Sequence, residues 1–198
     1  RLRPGQPDDD HYYFQQFNAN KKSVTVNLKS ERGLQLVKDL LRKADICVEN
    51  FAPGTIERLG LGYDAVREVN PGIIYCQVKG FGEGPYQNNL AFDMIAQACG
   101  GTISVTGEPD RPPVKPGISL GDTGTGMTMA ITILGALHRR NATGKGYRLQ
   151  VAMQDAMLHY MRIGFSTQGR TGKPAGRGGA KIPDINNAPL GLYPCKPG

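Results

Sequence analysis

Gly72-Ile-Ile-Tyr-Cys-Gln-Val78 is a strongly apolar short run, preceded by the turn formers Asn70 and Pro71. A run of that length and composition predicts a buried strand. Upstream, Ile56 to Val69 has the pattern of short helical pieces broken by Gly60 and Gly62, and Asp45 to Val48 that of another short strand. Further back, Ser30 offers a helix N-cap before the stripe Leu34, Val37, Leu40 and Leu41, and Ser23 to Leu28 alternates as a half-buried strand. Downstream, a helix is expected from Phe92 to Cys99, then a glycine- and proline-rich link through Gly117. A long helix follows, with Met127, Ala130, Ile131, Leu134, Leu137 and His138 on its apolar face and Asn141 to Gly144 ending it. Tyr147, Leu149 and Val151 alternate as a strand leading into a helix over Met153 to Ile163.

Strands separated by helices predict an α/β fold, a Rossmann-like parallel sheet flanked by helices. In such sheets, ligands lie beyond the carboxyl ends of the strands, so the turns after Val48 and Val78 are where binding residues are expected. The expected division is a large α/β domain over 1–164 and a glycine- and proline-rich crossing over 165–198.

Ser119-Leu-Gly-Asp-Thr-Gly-Thr-Gly-Met127 places one carboxylate, Asp122, among glycines at the start of the longest helical segment. The glycines would let a substrate carbonyl approach, and the unpaired N–H groups and partial positive charge of a helix start favour an ionised, nucleophilic aspartate. An aspartate ahead of a helix is also an ordinary N-cap, so this stretch by itself fits either role. Asp93 and Asp155, each at another helix start, carry the capping reading and lack neighbouring glycines.

The chain has 198 residues, 39% of them hydrophobic, and a formal net charge of +7. That suits a globular core rather than a disordered composition. No run approaches the roughly 20 apolar residues that span a bilayer, and Arg1-Leu-Arg-Pro-Gly5 is unlike a signal peptide, so a cytoplasmic location without membrane contact is expected. Cys47, Cys76, Cys99 and Cys195 are widely separated, which predicts neither a metal site nor a disulfide framework. The positive charge suits a polyanion, whether nucleic acid or the phosphates of a coenzyme. The most basic stretch, Arg170, Lys173, Arg177 and Lys181, lacks the interleaved aromatics of a single-strand binder and is expected to be a solvated loop.

Four further stretches stand in order with the Asp122 segment: Val48-Glu-Asn-Phe-Ala-Pro-Gly54, Leu59-Gly-Leu-Gly-Tyr-Asp64, Asn70-Pro-Gly-Ile-Ile-Tyr-Cys76 and Gly80-Phe-Gly-Glu-Gly-Pro-Tyr86. Together they resemble the class III CoA-transferase family, which includes formyl-CoA:oxalate and carnitine CoA-transferases and 2-methylacyl-CoA racemases. The resemblance runs from about Asn18 to Tyr193. It implies that the family's first strand and its small second domain lie outside this sequence.

The resemblance implies that Asp122 attacks an acyl-CoA thioester and carries a covalent aspartyl intermediate, with Gly121, Thr123 and Gly124 supplying N–H donors. It places Asn50 and Phe51 beside coenzyme A, Arg58 and Lys79 near its phosphates, and Phe92 at the same site. Coenzyme A would be substrate or product with no metal, the partners an acyl-CoA and a small carboxylic acid, and the assembly a homodimer without nucleic acid. The racemases have a histidine at the position of Phe92, and phenylalanine cannot carry a proton, so transfer is expected over racemisation. The oxalate enzyme's glycine lid has no counterpart in Asn186 to Cys195, which leaves the acceptor acid open. A noncatalytic CoA- or polyanion-binding module is the reading from another class.

Overall fold

The computed structural model describes residues 12–181 and 189–196. Arg1 to His11 and the first part of the Asn186 to Cys195 stretch lie outside the described residues. Among the described residues, one sheet is built from β1 (Ile46–Glu49), β2 (Ile74–Lys79) and β3 (Tyr147–Ala152), in the order β1-β2-β3. Both pairings are parallel, with Val48 opposite Cys76 and Val78 opposite Val151.

β2 is central and buried on both faces, which is why Ile73 to Cys76 run apolar without alternation, and the equally buried Gln77 is satisfied by the side chains of Glu57 and Arg148. Ile73 and Tyr75 pack with Val66 on one side, and Ile74 and Cys76 with Met129 and Ala136 on the other. Tyr75 is fully buried and satisfies its hydroxyl by donating to the Leu61 carbonyl at 2.9 Å. Burial of each large side chain here contributes about 2 kcal/mol, so a charged residue at Ile74 would open the sheet from its middle.

The helices are α1 (Tyr12–Phe17), α2 (Glu31–Lys43), α3 (Thr55–Arg58), α4 (Tyr63–Val69), α5 (Asp93–Cys99), α6 (Leu120–Thr143), α7 (Met153–Tyr160) and α8 (Arg162–Thr171). Ser30 caps α2 as expected, its Oγ accepting the Gly33 N–H at 3.1 Å. α6 stops at Gly144, whose φ of 70° is the left-handed conformation that glycine adopts at no steric cost.

Four expectations are corrected. Residues 23–28 form no strand, and Val24 is exposed. Alternation prepares two faces, but a strand also needs a neighbour for its N–H and C=O groups, and no described strand pairs there. On α6 the stripe Met127, Ile131 and Leu134 is exposed, while Met129, Ile133, Ala136 and Leu137 meet the sheet. This helix is apolar on more than one face, so periodicity alone could not say which face the sheet takes. The chain also stays helical past Phe165, through Thr171, despite Gly164 and Gly169, each of which costs only about 1 kcal/mol in a helix. Finally, the basic stretch is not simply solvated. The Arg177 guanidinium donates to the carbonyls of Ser104, Glu108, Pro109 and Arg111, and Gly179 N–H donates to Gly107 O at 3.0 Å.

Candidate active site

The carboxyl ends of β1 and β2, with the start of α7 after β3, surround a cleft of about 660 Å³. Val48, Glu49, Asn50 and Phe51 come from the end of β1, Val78, Lys79 and Gly80 from the end of β2, and Met153 from the first residue of α7. Residues 89–92 close one side, and Asp122, Thr125 and Gly126 reach it from the first turns of α6. Five residues singled out in the sequence, Asn50, Phe51, Lys79, Phe92 and Asp122, therefore share one cavity. Arg58 is not on its lining. The Arg58 guanidinium donates to Thr55 Oγ1 at 2.9 Å within the α3 turn.

Asp122 is exposed to the cleft and lies inside α6, as its third residue, and not ahead of it. The N-cap position is Ser119, whose side chain makes no capping bond. That function comes from another helix: Asp93 Oδ1 accepts the N–H of Gly121 at 2.8 Å and of Asp122 at 3.2 Å. Asp93 is in turn held through Oδ2, which accepts from Gln97 Nε2 at 2.8 Å and lies 3.9 Å from Lys115 Nζ. Partial burial, and then the neighbouring charge of Asp93, raise the Asp122 carboxyl above its ordinary range. The helix start thus does not hold Asp122 low, because its positive end faces Asp93 first.

Gly121, Thr123 and Gly124 do different work from that expected of them. The Gly121 N–H is taken by Asp93, and the Thr123 N–H and Oγ1 both donate to Ser119 O, at 3.0 and 2.7 Å. A Cβ on Gly121 would lie 2.6 Å from Asp93 O, and one on Gly124 2.9 Å from the Tyr160 ring. These glycines admit α5 and α7 against α6. Of the α6 glycines 121, 124 and 126, Gly126, where a Cβ would meet nothing within 4 Å, is the one on the cleft lining.

Glu49 is a site residue that the sequence reading passed over. Its side chain is 4% exposed, Oε2 accepts the Phe51 N–H at 2.8 Å, and Oε1 lies 3.8 Å from Lys79 Nζ with no hydrogen bond of its own. It fixes the turn that presents Asn50 and Phe51 and sets a negative charge behind the lysine. The available signal was an acid and a lysine closing two adjacent strands. Asp93 left no such signal, because its contacts at 121 and 122 are 28 and 29 positions away.

Burial pushes the thiols of Cys47 and Cys76 up to about 11, which removes both as nucleophiles at neutral pH. Among the described residues, no group of three or more His, Cys, Asp or Glu side chains could hold a metal ion, and no helix is long and apolar enough to cross a membrane.

Comparison with known proteins adds a consistent set of likenesses. The sequence model of CoA-transferase family III matches residues 1–198. The formyl-CoA:oxalate CoA-transferase of Streptomyces coelicolor is 43% identical over 203 residues, covering 97% of this chain and 50% of that enzyme. The enzyme of the same name from Escherichia coli O139:H28 is 40% identical over 199 residues, covering 95% and 48%. A crystal structure of a CAIB/BAIF family protein from Brucella suis superposes with a TM-score of 0.84 at 37% identity, covering 88% of this chain and 46% of that one. The chain spans about half the length of the curated relatives it matches.

Proposed function

The chain belongs to CoA-transferase family III, and on that premise we propose that it moves coenzyme A from an acyl-CoA to a free carboxylic acid through covalent chemistry on Asp122. The observation that carries this reading is an exposed carboxylate facing a cleft at the strand ends. An Asp122 oxygen attacks the thioester carbonyl carbon, the C–S bond breaks, and the electron pair leaves on the CoA thiolate. The product is a mixed anhydride between Asp122 and the acyl group. The thiolate then attacks the aspartyl carbon and releases the first acid as its carboxylate, leaving an aspartyl thioester. The incoming carboxylate repeats the two exchanges in reverse and restores Asp122, with no net proton. The division into covalent steps replaces one unfavourable exchange by easier ones.

The raised Asp122 carboxyl fits this role, since a carboxylate that is poorly stabilised as an anion gains more by bonding to carbon. The developing oxyanion needs donors other than the committed amides of 121 to 123. Asn50, Lys79 and Asn89 carry side-chain N–H groups on the cleft lining. Coenzyme A would lie along Asn50, Phe51, Lys79 and Phe92. Arg58 sits just beyond Gly54 at the same edge, where a phosphate outside the cleft could meet it. The uncovered apolar side of α6 supports the homodimer.

The test is Asp122→Ala in the protein expressed at the full length of its gene. Transfer between acyl-CoA and acid is lost, while the Kd for coenzyme A by calorimetry stays within about threefold, because Asp122 acts on the acyl carbon and not on the nucleotide. Retained turnover rules out the covalent route.

A further inference from the structure

Between α5 and α6, a single carboxylate oxygen, Asp93 Oδ1, accepts two consecutive backbone N–H groups, those of Gly121 and Asp122. These are orphan donors of a helix that has no cap of its own, and the acceptor reaches them from a different helix. Its other oxygen is anchored by Gln97, which is fully buried, and faces Lys115, whose ammonium also donates to the carbonyls of Pro116 and Ile118 in the link leading into α6. The absence of a side chain at Gly121 lets the Asp93 backbone approach this closely. Asp93 itself does not line the cleft, so its effect on the chemistry has to pass through Asp122.

We propose that Asp93 is the positioning residue of this site: by gripping both amides with one oxygen, it fixes the start of α6 and aims the Asp122 side chain into the cleft. This rests on the reading of Asp122 as the nucleophile. The arrangement has a second consequence. Asp93 sets a like charge beside Asp122, and the other charged or titratable groups around the pair are Lys115 in the link, Glu49 and Lys79 across the cleft, and Tyr160 on α7 beside Gly124. Lys79 is already matched with Glu49. The side chain that must act as a nucleophile is therefore given an acidic neighbour.

Two substitutions in the full-length gene product separate aiming from mere support. Asp93→Asn keeps an oxygen for the amides and removes the charge, whereas Asp93→Ala removes both. Asp93→Ala is expected to lower kcat about 100-fold with KM for the acyl-CoA within about threefold, as befits a displaced reacting group. Asp93→Asn is expected to keep kcat within about tenfold, the neutral acceptor being the weaker one. It also shifts the titration of Asp122 to lower pH, followed by carbon NMR of the aspartate carboxyls with Asp122→Asn as the assignment control. That titration reads the charge of Asp93, and the split between kcat and KM in Asp93→Ala reads its aiming, since mere loss of support would not leave KM unchanged while kcat falls. The proposal is overturned by an Asp93→Ala protein with normal kcat, by an Asp122 titration unmoved in Asp93→Asn, or by an Asp93→Asn protein that does not fold although the acceptor is retained. The NMR titration reads Asp122 whether or not acyl groups pass through it, so failure here is distinct from failure of the covalent reading.

Discussion

Adding one methyl group at each of two glycines on α6 should change stability in opposite directions. At Gly121, alanine gains at most about 1 kcal/mol of helix propensity. Its Cβ, however, would stand 2.6 Å from Asp93 O and 3.0 Å from Asp93 Cα, both backbone atoms that a rotamer change cannot move. Overpacking of this kind costs about 1–3 kcal/mol. Pushing α5 away also stretches the two bonds to the Asp93 carboxylate, each worth about 1.5–3 kcal/mol. The balance for Gly121→Ala is a loss of about 2–4 kcal/mol. At Gly126 the new methyl meets no atom within 4 Å, so only the propensity gain remains, about 1 kcal/mol or less. Gly126 lines the cleft, so Gly126→Ala should bind coenzyme A more weakly while unfolding at higher urea. Urea unfolding of both variants, with Gly135→Ala as an exposed helical control, reads the stabilities, and calorimetry the affinity. If Gly121→Ala is as stable as the parent, or Gly126→Ala is the less stable of the two, the assignment of these glycines is wrong.

Lys79→Met leaves the Glu49 carboxylate buried without its counter-charge, and a loss of about 3 kcal/mol is expected in the same unfolding assay; Glu49→Gln in that background should recover part of it by removing the charge. Asp122→Asn should stabilise the protein at neutral pH. The Asp122 carboxyl is raised in the folded state, so its contribution to stability is fully present below the unfolded pKa and lost as pH rises through the folded one. The gain over the parent at pH 7 therefore fades as the pH is lowered through the raised pKa and is gone below the ordinary carboxylate range, which thermal melts at a series of pH values would show.

Most of the sheet was legible because β2 announces itself. A strand covered on both faces is largely apolar, and Ile73 to Cys76 is so without a break. The cleft followed from the same reasoning, since strand ends in a parallel sheet collect the turns that bind, and Asn50, Phe51 and Lys79 sit on those turns. Among the features that escaped, three have a clear physical reason. The strand expected over 23–28 depended on a partner that no local pattern reveals. The facing of α6 was ambiguous because Met127, Ile131 and Leu134 are as apolar as the residues that meet the sheet. Asp93 was assigned to its own helix because capping was judged over a few residues, whereas this carboxylate caps α6 across a gap of 28 positions. The roles of Gly121 and Gly124 followed from that error: helices crossing closely and a carbonyl approaching closely both call for a missing side chain, and only coordinates distinguish the two.

Covalent transfer requires that Asp122 become bound to carbon during turnover. The most direct measurement is mass spectrometry of the full-length gene product mixed with acyl-CoA and quenched with hydroxylamine, which converts an aspartyl anhydride or thioester into a stable hydroxamate. The hydroxamate is expected on Asp122, formed only when acyl-CoA is present and absent from Asp122→Asn. An enzyme that turns over with Asp122 unmodified, or modified at another carboxylate, would contradict it.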